Sequence, residues 1–161
     1  MRDEKFEQLY AEHAQGLLSF LTYRTGDRAL AEDVMADTFE RVLNARRPFD
    51  PRRGSAKTWV YSIALNLLRD QIRRSAAEQR AIERTGVGAA FNPDEIGRAD
   101  DREAVMGALL RLSSEERETV ALRYGADLTV PEIAKVTGER LTTVEGRLYR
   151  GLRKLRDVLD G

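Results

Sequence analysis

The chain has 161 residues, no Cys, a single His and equal numbers of basic and acidic side chains, 27 of each. That length suits one ordinary domain or two small ones, and the missing Cys removes disulfides and Cys/His zinc sites. The zero net charge conceals blocks: −5 over 1–40, +7 over 41–80, −4 over 81–118 and +2 over 119–161. Asymmetry between segments, not the total, describes the surfaces.

The N-terminus lacks the apolar stretch of a signal peptide, and VYSIALNLL at 60–68 is too short to span a bilayer. Pro is scarce and few segments alternate with period two, so an all-α, cytoplasmic protein is expected. Phe6, Leu9, Tyr10, His13, Leu17, Phe20 and Leu21 step by three and four, predicting a helix over 3–24. His13 lies inside that stripe and reads as packed or interfacial. Gly26 breaks the helix and Asp27 suits the N-cap of the next. The second helix should bury Leu30, Val34, Met35, Phe39, Val42 and Leu43 and turn Glu32, Asp33, Asp37, Glu40 and Arg41 outward.

Residues 45–55, ARRPFDPRRGS, predict an exposed loop with four arginines. A third helix runs from Ala56 past Arg74, with Val60, Ile63, Ala64, Leu67 and Leu68 inward and Ser62, Asn66, Arg69, Asp70 and Arg73 on another face. Trp59 and Tyr61 beside the basic loop fit single-stranded DNA, where cations meet phosphates and bases stack on rings; Trp59 reads equally as core. From residue 75 to 100 the pattern is lost, which predicts a linker, its start prolonging the third helix.

A second domain begins near 101. Val105, Met106, Leu109, Leu110 and Leu112 mark a short helix. SSEE at 113–116 has the capping-box form and opens a helix ending near Gly125; TVPE at 129–132 repeats the form, and Gly138 ends that helix. The last helix begins between Arg140 and Thr142, with Leu141, Val144, Leu148, Leu152 and Leu155 inward. Arg140, Thr142, Thr143, Arg147 and Arg150 are left to face a DNA groove, and Gly146 permits close approach to a backbone. No nucleophile–base pair or phosphate-cradling loop points to an enzyme, and no cofactor or metal is expected.

Four motifs in order resemble the bacterial extracytoplasmic-function (ECF) sigma factors, compact subunits of RNA polymerase. They are AEDVMADTFERV at 31–42, WVYSIALNLLRDQIRR at 59–74, LSSEERETVALRY at 112–124 and TVEGRLYRGLRKL at 143–155. The resemblance implies two helical domains, 1–76 and 101–161, joined by a flexible linker at 77–100, the second a helix-turn-helix. It implies that Asp33, Asp37, Phe39, Glu40 and Arg41 dock on core polymerase, Phe39 partly structural. Arg52, Arg53, Lys57, Asn66, Arg69, Asp70, Arg73 and Arg74 would engage the melted minus-ten element, where a flipped base is captured. Asp70 pairing with Arg73 or Arg74 merely to orient them is the other reading. Arg140, Thr142, Thr143, Arg147 and Arg150 would read the minus-thirty-five duplex. An anti-sigma factor would be a further partner, with no membrane insertion.

Two positions depart from the family pattern. Arg140 replaces the usual Ser or Pro, and Glu145 either accepts from a cytosine or caps the helix through TTVE at 142–145, the cap being preferred. A linker of some 25 residues spans roughly 25–30 Å at rest and about 85 Å fully drawn. The promoter elements lie on the order of 70 Å apart, so the domains are expected to spread only on polymerase. A stand-alone repressor, or a module that only sequesters other factors, would use the same helix-turn-helix differently.

Overall fold

The computed structural model describes residues 3–45, 49–85 and 100–160, without side chains for 79–85 and 100–102. Among these residues there are seven α-helices and no strand: α1 (Asp3–Thr25), α2 (Arg28–Leu43), α3 (Ala56–Thr85), α4 (Asp100–Leu109), α5 (Ser114–Val120), α6 (Val130–Thr137) and α7 (Leu141–Asp160). A short 3₁₀ turn, Pro51–Arg53, precedes α3. The segment 77–100 expected as linker is therefore partly helix, since α3 continues to Thr85. Residues 86–99 lie outside the described residues, as do 46–48 of the basic loop.

Local chemistry sets the boundaries. The Asp27 carboxylate accepts from the Leu30 N–H at 3.2 Å and starts α2. Ser113 and Glu116 close a capping box on α5, and Thr129 and Glu132 close another on α6. Each cap satisfies helix-end N–H groups and contributes about 1 kcal/mol. Gly138, at φ 73°, takes the left-handed conformation that ends α6 and turns the chain into α7. Because α7 opens at Leu141, Thr142 lies inside its first turn. TTVE therefore forms no capping box there, and Glu145 is an exposed helix residue.

In the first half, α1 and α3 pack with α2 around Leu17, Phe20, Leu21, Val34, Val42 and Tyr61. Tyr61, expected to stack on bases, is 1% exposed; its ring lies 6.1 Å from that of Phe20. It belongs to the core, as does Leu65, while Ile63 and Leu67 are only partly covered. Leu43, Leu110 and Leu141, all expected inward, are exposed because each stands at the end of its helix run, beyond the packed face. His13 is partly buried, its Nε2 3.7 Å from Glu12 without a hydrogen bond, and burial lowers its pKa despite that carboxylate.

In the second half, α7 packs on α5 and α4. Glu116 is the polar anchor: Lys154 Nζ donates to it at 2.8 Å, the Ser113 N–H donates at 3.0 Å, and Arg150 stands 3.9 Å away. The Lys154 hydrogen bond, outweighing burial, holds this carboxyl below the usual range.

The two halves are not held by the linker alone. After α5 the chain widens into a π-helical turn, Ala121–Gly125, which rests on α1. A Cβ at Gly125 would sit 3.2 Å from Phe20 Cα, so only glycine allows this approach without displacement. Ala121, Leu122, Leu128 and Ile133 join the same buried cluster as Phe20, Tyr61 and Leu65. α6 packs against α3 beside them.

Two outcomes are expected. Tyr61→Ala should cost about 3–5 kcal/mol in denaturant unfolding, whereas Tyr149→Ala, at an exposed position, should stay within about 0.5 kcal/mol. Because the folded Glu116 pKa is depressed, its contribution is present above the unfolded value and lost as pH falls through the folded one. The stability advantage of wild type over Glu116→Gln should therefore shrink between pH 7 and acid, read from melting temperatures.

Candidate nucleic-acid and polymerase interfaces

The outward strip of α3 follows from its inward one. With Val60, Tyr61, Ala64, Leu65 and Leu68 buried, the helical repeat leaves Asn66, Arg69, Asp70, Arg73 and Arg74 on the opposite side. Asn66, Arg73 and Arg74 are exposed, and Arg69 and Asp70 are partly covered. Asp70 pairs with Arg73, the orienting role read as its alternative. Arg52 and Arg53 are open to solvent on the 3₁₀ turn, near Asp50 at 3.6 and 4.0 Å. Lys57 lies apart from them, its Nζ donating to the Asp127 carbonyl at 3.2 Å.

A cleft of about 680 Å³ opens between the 3₁₀ turn and α3, walled by Phe49, Asp50, Arg53, Thr58 and Trp59. Trp59 is partly exposed, its ring 5.6 Å from that of Phe49. Two aromatic rings and an arginine around an open cleft can receive a planar base and its phosphate. Tyr61, on the far side of the helix, cannot take part.

On α2 the residues Asp33, Asp37, Glu40 and Arg41 form an exposed charged face. Phe39, expected inward by the helical repeat and partly structural by the resemblance, is buried: at 4% exposure it packs edge-on against Phe6, centroids 6.2 Å apart, and 4.8 Å from Tyr10. The helical repeat that turns Asp37 and Glu40 outward turns Phe39 inward, so it shapes α2 without presenting a surface.

Arg140, just before α7, and Thr142 and Arg150 on it are exposed, and Thr143 and Arg147 are partly covered. Arg147 Nη1 donates to Glu139 at 3.1 Å across the α6–α7 turn, which aims the guanidinium. Arg150 folds back along its own helix, its Nη1 3.1 Å from where a Gly146 Cβ would stand. Gly146 thus makes room for an arginine of its own chain.

Several residues that shape these faces carry no signal in the sequence. Arg24, 6% exposed at the end of α1, donates from Nε to Glu118 at 3.4 Å and from Nη2 to Ser114 at 2.8 Å. Arg69 donates to the other Glu118 oxygen at 3.0 Å. Partners 94 and 49 positions apart follow no local periodicity. Lys135 of α6, which reaches the Trp59 cleft, is equally invisible.

No helix among the described residues is long and apolar enough to cross a membrane. The Sigma-70 region 2 family model matches residues 9–78, and the Sigma-70, region 4 model matches 102–155. The ECF RNA polymerase sigma factor SigL of Mycobacterium tuberculosis is 32% identical over 154 residues, 94% of this chain and 86% of that protein. The RNA polymerase sigma factor CarQ of Myxococcus xanthus is 31% identical, covering 97% of this chain and 90% of its own. Among solved structures, CnrH in complex with the cytosolic domain of CnrY is 28% identical, with TM-score 0.73 over 99% of this chain and 90% of that one. The sigma factor RpoE, in complex with the anti-sigma factor NepR from Bartonella quintana, shares the fold with TM-score 0.81 at 23% identity, over 98% of both chains. With both sigma regions present, in order and over almost the whole length, this chain belongs to the ECF RNA polymerase sigma factors, which direct core polymerase to specific promoters to start transcription.

Proposed function

We propose a division of labour within that activity. The unit 1–76 docks on core polymerase through Asp33, Asp37, Glu40 and Arg41 of α2. It grips the opened minus-ten strand with the 49–59 cleft, Arg52, Arg53 and the α3 strip around Asn66. The unit 101–161 reads the minus-thirty-five duplex through Arg140, Thr142, Thr143, Arg147 and Arg150 at the start of α7. Protein acting on polymerase in this way belongs in the cytoplasm and performs no chemistry of its own.

The observation that carries the reading is Asn66. It is an exposed amide in the middle of a helix whose apolar positions are otherwise spent on the core, and it stands among arginines. Such a side chain contributes nothing to packing, whereas its donor and acceptor match a base edge. An anti-sigma protein as a further partner is supported by the solved relatives, one of which is in complex with such a factor.

Run-off transcription with core polymerase on fragments of the source genome, followed by start-site mapping, tests the whole reading. Asp37→Arg should weaken core-polymerase affinity about tenfold or more in a protein with unchanged circular dichroism; unchanged affinity would count against the α2 assignment. Arg147→Ala should reduce initiation about 10- to 100-fold on templates with the upstream element. An equal loss on templates lacking it would contradict the α7 assignment.

A further inference from the structure

One carboxylate on α7, the helix assigned above to the promoter duplex, is spent on nothing within the chain. Glu145 is exposed, and among the described residues its side chain makes no hydrogen bond or ion pair. Nearby carboxylates are engaged: Glu139 holds Arg147 at 3.1 Å, and Glu116 holds Lys154 at 2.8 Å with Arg150 3.9 Å away. The positions three and four residues from Glu145 are Leu141, Thr142, Leu148 and Tyr149, none of them a cation. Glu145 does not cap α7, because the helix opens at Leu141, and it stands past the first turn, where a carboxylate would favour the helix dipole. Its direction is set by the helical repeat. With Val144, Gly151 and Leu155 buried, the far side of α7 carries Thr142, Glu145, Gly146 and Tyr149, and the three that have side chains are exposed. Gly146 adds no side chain to the middle of that strip, and Arg150 lies alongside it.

We infer that Glu145 is a specificity-determining residue, its carboxylate accepting a hydrogen bond from the N4 amino group of one cytosine in the minus-thirty-five duplex. The inference rests on the α7 assignment proposed above and adds a residue and a base to it. In a major groove flanked by phosphates, an unpaired carboxylate opposes binding unless a base donates to it. Guanine and thymine present only acceptors on that edge, which a carboxylate cannot use. Adenine offers its N6 amino group but sets the N7 acceptor next to it. Cytosine offers the N4 amino group with no acceptor of its own beside it. Glu145 thus discriminates mainly by exclusion, making three bases worse rather than one base much better. The arginines assigned to the same duplex supply the attraction, and Glu145 withholds it from the wrong sequence.

The test uses the holoenzyme formed by core polymerase and the full chain. The templates derive from a promoter mapped by run-off transcription, with every base pair of the upstream element randomised, and transcripts are counted by sequencing. Wild type should favour cytosine at one position of that element, about tenfold over the other bases, and Glu145→Ala should flatten that preference while leaving every other position unchanged. Circular dichroism confirms folding of the variant, whose site is exposed. N4-methylcytosine at the same position still pairs with guanine; it should lower wild-type initiation about tenfold and leave Glu145→Ala unaffected. Base preferences of Glu145→Ala identical to wild type at every position would overturn the inference. So would an equal gain on all templates, the mark of phosphate repulsion alone. An N4-methyl penalty equal in both proteins would overturn it too, since another group would then read the amine. In each of these cases the upstream element is still read and the α7 assignment stands, whereas a wild type with no base preference anywhere in the element would remove both.

Discussion

The contact on which the arrangement depends is the backbone of α1 at Phe20 lying against the π-helical turn at Gly125. There two small helical units become one buried cluster. Leu122, Leu128 and Ile133 have no exposed surface, and each such side chain contributes about 1.5–3 kcal/mol when removed from water. The Arg24–Glu118 pair beside them is nearly buried, and such pairs roughly balance attraction against desolvation. The apolar seam therefore supplies the hold. The ions supply register, because an offset docking would strand Arg24 without a partner, at about 3–5 kcal/mol.

The seam also joins residues from segments of opposite net charge: Arg69, from the +7 block of 41–80, pairs with Glu118, from the −4 block of 81–118. A basic surplus on the isolated protein would favour binding anywhere on a chromosome. A chain with no net charge lacks that general attraction.

Much of this was legible before any coordinates. Helix starts were readable because caps are local: Asp27, Ser113 and Thr129 each satisfy an N–H three residues on. The outward faces of α2, α3 and α7 followed from helical periodicity. Periodicity failed where it was applied one residue too far, at Leu43, Leu110 and Leu141, because a helix end outruns the face it packs against. It misplaced Tyr61, since aromatic rings near arginines suit a core as well as a stack of bases, and only burial decides. Phe39 was legible as inward from the helical repeat, and its burial agrees. The docking of the two halves left no trace in the sequence, since Glu118 and Gly125 gain their meaning from residues about 50 to 105 positions away.

The single tryptophan of the chain happens to stand where the halves meet. Trp59 lines a cleft that Lys135 of α6 also lines, its ring 5.6 Å from that of Phe49. Indole emission shifts with local polarity and with nearby cations. Because residues of both halves line its cleft, that ring is a native optical gauge of how α6 sits against α3.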